Sequence, residues 1–482
     1  MESHKNSIAK NAVYNVIYTF VNMFTPLITF SYVARLISTA DMGNINFFTS
    51  LSNYVIMFSA IGISTYGIRT VAAVRDDEEK RNKAVKELFL MNFFLTVFSL
   101  IIILISCTFL KKFSDNFILL LINMVYIFTA PFGMDWYFSG TENYAYITKR
   151  NCIFKLLSII LVFTTVRDSG DYMNYALILV FSSAGPWMVN FIKARPAWKG
   201  LFSGKLNFRQ HIRPMITLFS SLLAVNVYTN LDTVMLGVIS GDEEVALYGI
   251  AVKIKNMMLT FVNAINAVML PRMSYYVSSK KKDMFSEMLK KMVSVIMMIS
   301  IPVTIFFIIV AKDVIMILGG EKYGKSVTAM RIIMFVLLFS SFSNITGNQI
   351  LIPNGRENKF LKAVTFGALI DVILNCIFMP KYGCTGAALA TAMAEFGQMS
   401  VQIVYSRKDL RKNIKWLGLA KILLAALISA IILFVFMSGL HAHVLIRFFA
   451  SGMIYFVSYA SLLIIVRQED FVYLLNRFLK KR

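Results

Sequence analysis

The chain has 482 residues, 57% of them hydrophobic and only 16% charged, with a formal net charge of +23. Apolar runs of roughly 18 or more residues recur from end to end, each long enough to cross the hydrocarbon core of a bilayer, so a string of soluble domains is excluded. Their continuity also excludes a β-barrel built from short alternating strands, and the placement of the charge in alternate loops argues against nucleic acid as its partner.

Taken in chain order, the runs predict about fourteen membrane-spanning helices, near residues 12–36, 43–66, 86–109, 116–138, 145–166, 171–193, 214–239, 245–271, 287–310, 326–352, 359–380, 384–405, 416–437 and 444–466. Loops after even-numbered spans (69–86, 193–213, 272–291, 356–362 and 407–415) hold most of the Lys and Arg, whereas 37–41 and 240–244 hold little. The positive-inside rule then puts both termini in the cytoplasm of a multi-pass plasma-membrane protein resting on anionic lipid.

The order of elements repeats. Gly140–Thr141–Glu142–Asn143 returns about 215 positions later as Gly355–Arg356–Glu357–Asn358. The Asp41–Gly43 turn matches 244–249, and 166–170 matches 380–384, at nearly the same offset. The expected architecture is all-α: two pseudo-symmetric six-helix bundles, 1–193 and 214–406, joined by the basic connection 194–213. Spans thirteen and fourteen, in 407–482, lie outside the duplication and are expected at the periphery. An even number of spans per half gives both the same orientation, around a pseudo-two-fold axis with a central cavity.

Polar groups inside hydrocarbon are costly and face either a hydrated interior or a neighbouring helix. Span one carries Asn11, Asn15, Tyr18, Asn22, Thr25 and Thr29 at helical spacing, with Pro26 to bend it. Span eight carries Lys253, Asn256, Thr260 and Asn263, and span twelve Thr391, Glu395, Gln398 and Gln402. Three such stripes point to a hydrated cavity. Lys253, two turns into its span, is the candidate cation for an anionic, phosphate-bearing substrate, and Arg331 in span ten follows on the same argument. Arg69, Arg150 and Arg272 sit at cytoplasmic helix ends, where headgroup or structural roles compete with substrate contact; Lys155 is slightly deeper. Asp232 in span seven, Asp371 and Asn375 one turn apart in span eleven, and Thr391 with Glu395 in span twelve offer oxygens to Na⁺, or a carboxylate to a cycling proton. The alternative is an interhelical hydrogen-bond network.

No catalytic set stands out. His4, His211, His441 and His443 are read as terminal or loop residues, and no nucleotide, hydrolase or metal motif is present. The four cysteines, Cys107, Cys152, Cys376 and Cys384, read as packing residues. No enzyme activity, and no cofactor beyond a coupling ion, is expected.

Asn11–Asn15, the turn 33–43, Gly62–Arg69, Asp232–Gly237, Tyr248–Lys253 and Leu270–Arg272 together resemble the polysaccharide biosynthesis flippases of the Wzx type. These belong to the superfamily of multidrug, oligosaccharidyl-lipid and polysaccharide exporters. The resemblance implies two six-helix bundles facing a cationic cavity. Its implied activity is alternating-access transfer of an undecaprenyl-diphosphate-linked oligosaccharide to the outer leaflet, for capsule, O-antigen or a similar polymer. It also implies a place for Lys253 and Arg331 at the diphosphate, and two C-terminal helices like those that form a lipid groove in peptidoglycan-precursor flippases. Some relatives hold Na⁺ with residues matching Asp232, Asp371, Asn375 and Thr391, although here the span-eleven pair is reversed in order. Membrane lipids, a polysaccharide polymerase and chain-length machinery are the implied partners, and a monomer is the expected state. The alternatives are a multidrug exporter of the same superfamily, with twelve spans and an acidic pocket, or a membrane glycosyltransferase or polymerase, which would want a larger outer loop.

Overall fold

The structure, a computed structural model, describes residues 2–201, 206–439 and 442–479. The first span is α1 (Glu2–Leu36), which runs through Pro26 without ending. The second begins where Ser38 accepts the amide of Asp41 at 3.1 Å, and is split into α2 (Thr39–Ala60) and α3 (Ile63–Ala73) with a 41° bend. The bend is built by Ile61 and Gly62, both left-handed at φ 36° and 76°. Gly62 is needed twice over: a Cβ there would lie 3.1 Å from the carbonyl of Met215 and the amide of Phe219.

After Asp77 caps it, α4 (Glu78–Ser106) forms the third span, followed by the short α5 (Lys111–Asp115). The fourth span is broken. It starts as α6 (Phe117–Thr129), tightens into a 3₁₀ turn at Ala130–Gly133, passes through Met134 at φ 42°, and resumes as α7 (Asp135–Gly140). Then come α8 (Tyr144–Thr165), α9 (Tyr172–Lys193) and the four-residue α10 (Arg195–Trp198). α8 is tied to α1 at both ends: Thr148 donates to the Tyr14 carbonyl at 3.1 Å, and Tyr32 donates to the Val166 carbonyl at 2.9 Å.

The second half repeats the plan with α11 (Arg209–Ile239), α12 (Asp242–Ser278), α13 (Lys282–Ile309), α14 (Ala311–Leu318) and α15 (Ser326–Asn344). α15 runs into a π-helical turn at Ile345–Leu351. This places a break in the tenth span at the position equivalent to the break in the fourth. α16 (Glu357–Asn413) is two antiparallel spans joined at Gly383, φ 52°, where the amide of Cys384 donates to Glu244 at 2.6 Å. The C-terminal helices are α17 (Trp416–Gly439), α18 (Val444–Ile465) and α19 (Glu469–Leu479).

Every one of the expected spans coincides with a helix. Ten described helices are long and apolar enough to cross a bilayer, eleven with the bent pair α2 and α3; α8, α11 and the division of α16 at Gly383 account for the others. The chain is therefore a multi-pass membrane protein.

The chain gathers into two compact units, Met1–Val234 and Met235–Arg482, with the division inside α11. In the first unit, Ile63, Val71, Val85, Leu88, Phe89, Trp136 and Phe138 form a buried core flanked by Phe132, Phe191 and Trp198. In the second, α17 and α18 pack on α13 through Ile422, Ala426, Tyr459 and Leu463, with Tyr459 donating to the Met298 carbonyl at 2.9 Å. Their other faces expose large apolar side chains, among them Phe434, Val435, Phe449, Met453 and Ile465, as helices bathed in lipid do. An ion pair between the buried Asp313 on α14 and the partly exposed Arg447 on α18 fastens this pair of helices to the unit.

Candidate functional site

The first unit carries candidate polar groups on five helices. On α1, Tyr18 and Asn22 are hydrogen-bonded to each other; the side chain of Asn15 lies outside the described residues. Lys155 on α8 donates to the Ser182 hydroxyl on α9 at 3.0 Å, so a neighbouring span holds its ammonium. Arg69 is exposed on α3. Asp232 is buried within α11.

Two clusters in this unit were not legible from spacing. In the first, the guanidinium of Arg150 (5% exposed) donates to Asp135 Oδ1 and Asn151 Oδ1, each at 3.0 Å, and to the side-chain oxygen of Asn190. Asn190 in turn donates to the same oxygen of Asp135 at 3.0 Å and to the Gly133 carbonyl that the 3₁₀ turn exposes. Arg150 is thus a buried anchor of the broken fourth span as well as a residue near a helix end. In the second, Glu87 (1% exposed) accepts from the Asn207 amide at 2.7 Å, from Gln210 at 2.9 Å, and pairs with His211 Nε2 at 2.8 Å; His211 Nδ1 meets the Tyr66 hydroxyl at 2.9 Å. His211 is therefore no loop residue: it is buried in the first turn of α11, because the helix starts earlier than the apolar run does.

In the second unit, Lys253 is partly buried on α12, and its neighbour Lys255, which the stripe argument passed over, is more deeply buried at 9% exposure. Asn256 and Asn263 are exposed, the latter accepting from Asn344 at 3.1 Å. Arg331 is exposed on α15. Arg272 lines a cavity of about 420 Å³ together with Met269, Tyr276, Lys291, Asp470 and Tyr473.

Asp371, Asn375, Thr391 and Glu395 are all buried on α16. Gly367 packs against Gln398 and Gly386 against the backbone of Phe378, which sets the antiparallel register of the two spans in α16. That register puts Asp371 level with Glu395, and Asn375 level with Thr391. The Thr391 hydroxyl is 2.9 Å from the Tyr248 hydroxyl on α12. Carboxylate, amide and hydroxyl oxygens are the donor types a hard cation takes, so the set fits Na⁺ in kind. Among the described residues, no group of three His, Cys, Asp or Glu side chains is placed to hold a metal ion.

The rest of the twelfth-span stripe turns inward. Gln402 accepts from Ser343 at 2.9 Å and Thr346 at 2.7 Å, and Gln398 donates to Ser343 at 3.0 Å. These two glutamines bind the π turn of the tenth span to the twelfth, and so act as interhelical glue.

Fold and buried polar chemistry together define a multi-pass helical membrane protein of two compact units. The fold matches the lipid II flippase MurJ in an inward closed conformation, with TM-score 0.76 and 14% identity over 95% of this chain and 99% of that one. It also matches an inward-facing multidrug resistance transporter of the MATE family in the MOP superfamily, with TM-score 0.63 and 13% identity over 82% and 98%. Residues 8–277 match the polysaccharide biosynthesis protein family, more than half of the chain, and 217–377 match the MatE family. The chain belongs to the polysaccharide biosynthesis protein family. Its relatives include the "Putative O-antigen transporter" of Escherichia coli strain K12, 22% identical over 85% of this chain and 99% of that protein. Another is the capsular polysaccharide biosynthesis protein CapF of Staphylococcus aureus, 21% identical over 81% and 96%.

Proposed function

We propose that the protein is a flippase that carries an undecaprenyl-diphosphate-linked oligosaccharide from the inner to the outer leaflet of the plasma membrane by alternating access, for surface polysaccharide synthesis. The observation that carries this reading is that a chain of the polysaccharide biosynthesis family has, over 95% of its length, the fold of a lipid II flippase. Relatives named as a putative O-antigen transporter and a capsular polysaccharide biosynthesis protein support the same reading.

The physical problem is plain. A sugar head with two phosphates cannot cross bare hydrocarbon at a useful rate, because each buried charge and each unpaired hydroxyl is opposed by several kcal/mol. A hydrated, cationic path removes most of that barrier while the polyprenyl tail stays in lipid. In this reading Lys253 and Arg331 meet the diphosphate. Asp232, Asp371, Asn375, Thr391 and Glu395 would couple the cycle to Na⁺ or a proton. Both termini face the cytoplasm, the protein works as a monomer, and the polymerase and chain-length proteins act on its product.

The test is translocation of a fluorescent undecaprenyl-diphosphate oligosaccharide in proteoliposomes, with Na⁺, pH and membrane potential imposed separately. Protein-dependent flipping is the expected result. Absence of flipping alongside export of organic cations would make the protein a drug exporter instead.

A further inference from the structure

The two halves solve one structural problem in two ways. Each breaks its fourth span, at Ala130–Gly133 and at Ile345–Leu351, and each holds the break with a carboxamide from its sixth span, Asn190 in one and Gln402 in the other. In the second half the clamp is neutral throughout: Ser343, Thr346, Gln398 and Gln402. Neutral groups therefore suffice to hold such a break. The first half nevertheless places an ion pair there, Asp135 with Arg150. An ion pair with one partner buried is a weak source of stability, so its presence where neutral amides would serve calls for another role.

The pair is lopsided. The Arg150 side chain is 4% exposed, while that of Asp135 is 45% exposed, so the cation sits behind and the carboxylate stands on the open side. Arg150 Nε has no hydrogen-bond acceptor among the described residues, which leaves the guanidinium with unused donor capacity. Around it, the guanidinium lies 5.6 Å from the centre of the Tyr146 ring, and the Lys193 ammonium lies over the same ring at 3.5 Å. The ionisable groups facing Asp135 are thus Arg150 and Tyr146 on α8 and Tyr18 on α1, with Lys193 on α9 beyond the Tyr146 ring and the amide of Asn190 alongside. Apart from Asp135 this neighbourhood is cationic and hydroxylic. Asp135 occupies the place that an incoming anion would take.

We propose that Asp135 is an internal competitor for Arg150, so that an anion of the diphosphate class binds this guanidinium only as Asp135 takes up a proton and lets go. A buried guanidinium stripped of its counter-ion is strongly unfavourable, so release of Asp135 and arrival of the anion are coupled steps. An ionised Asp135 repels the anion and satisfies Arg150 by itself; a protonated Asp135 does neither. One proton is taken up for each anion bound, at the Asp135 carboxylate, and it is given back when the anion leaves. Coupling of this kind is reciprocal: low pH tightens the anion, and the anion tightens the proton. The inference deepens the flippase reading and rests on it for the identity of the anion.

Binding can be measured apart from transport. The purified full-length protein in detergent is titrated with inorganic pyrophosphate, and with sulfate as an anion that does not itself titrate, at pH 5.5 and pH 8. The wild type should bind about tenfold more tightly at the lower pH, within the range usual for coupled sites. Asp135→Asn should bind with the same affinity at both pH values, because the competitor is gone. Arg150→Gln should lose the pH-dependent binding; if it fails to fold, Arg150→Lys keeps the charge without the fork, and should weaken binding while preserving its pH dependence. Equal pH dependence in the wild type and Asp135→Asn would overturn the proposal, and so would full affinity in a folded Arg150→Gln or no anion binding by the wild type at either pH. None of these outcomes bears on whether lipid-linked glycan is flipped, which the proteoliposome assay decides separately.

Discussion

A carboxylate buried among apolar helices persists only if its neighbours supply hydrogen bonds, a counter-charge or a cation. Asp371 is fully buried on α16, with Asn375 one turn away on its own helix and Glu395 and Thr391 level with the two across the hairpin. If this set carries the coupling ion as Na⁺, Asp371→Asn should leave a folded protein whose flipping no longer responds to Na⁺, read in the same proteoliposomes. Transport that keeps the wild-type ion dependence would make the set an interhelical network. Lys253→Ala and Arg331→Ala each remove a charge-assisted bond of about 1.5–3 kcal/mol, so flipping should slow roughly tenfold to a hundredfold. Normal rates in both variants would remove these residues from the diphosphate path. Lys253 and Asp371 could be picked out in the sequence because a charge inside an apolar run is conspicuous. The role of Arg150 could not. Its partners Asp135 and Asn190 lie 15 and 40 positions away, and no periodicity on a single helix connects them.

At the level of helices, the connection between the halves ends in a buried latch. Glu87 on α4 gathers the Asn207 amide, Gln210 and His211, and His211 passes the contact on to Tyr66 on α3. This ties the start of α11 to the bent second span, at the level where Gly62 already lets α11 approach. Glu87→Ala leaves the buried His211 ring, the Asn207 amide and Gln210 without their shared acceptor. The expected loss is roughly 2–4 kcal/mol of local stability, seen as faster hydrogen exchange over residues 206–212. Exchange at the wild-type rate would mean that apolar packing alone holds the segment. The spans themselves were readable because each is one continuous apolar run. The breaks in the fourth and tenth spans were not, since a 3₁₀ or π turn changes hydrogen bonding and leaves the apolar composition unchanged. The first turn of α11 was missed for a related reason: 209–213 is polar in sequence, and it is helical because Glu87 accepts its side chains from another helix.

On the scale of the whole molecule, the +23 net charge and the two phosphates of the proposed substrate bear on direction. A ligand shifts a two-state transporter only by its differential affinity for the two states, so binding energy alone cannot drive net export. An interior-negative potential can. Each elementary charge moved through 100 mV is worth about 2.3 kcal/mol, so a diphosphate leaving with two uncompensated negative charges gains up to about 4–5 kcal/mol. A proton carried outward with the anion would cancel half of that. A proton or Na⁺ moving inward on the return step would instead add to it. Imposing an interior-negative potential with a K⁺ gradient and valinomycin should therefore speed outward flipping by the wild type, and Asp135→Asn, which carries no exchangeable proton at that site, should respond more steeply if the proton travels with the anion. An identical voltage dependence in the two proteins would mean that the proton taken up at Asp135 is released to the side it came from, and that Asp135 gates the anion without contributing charge to the transport step.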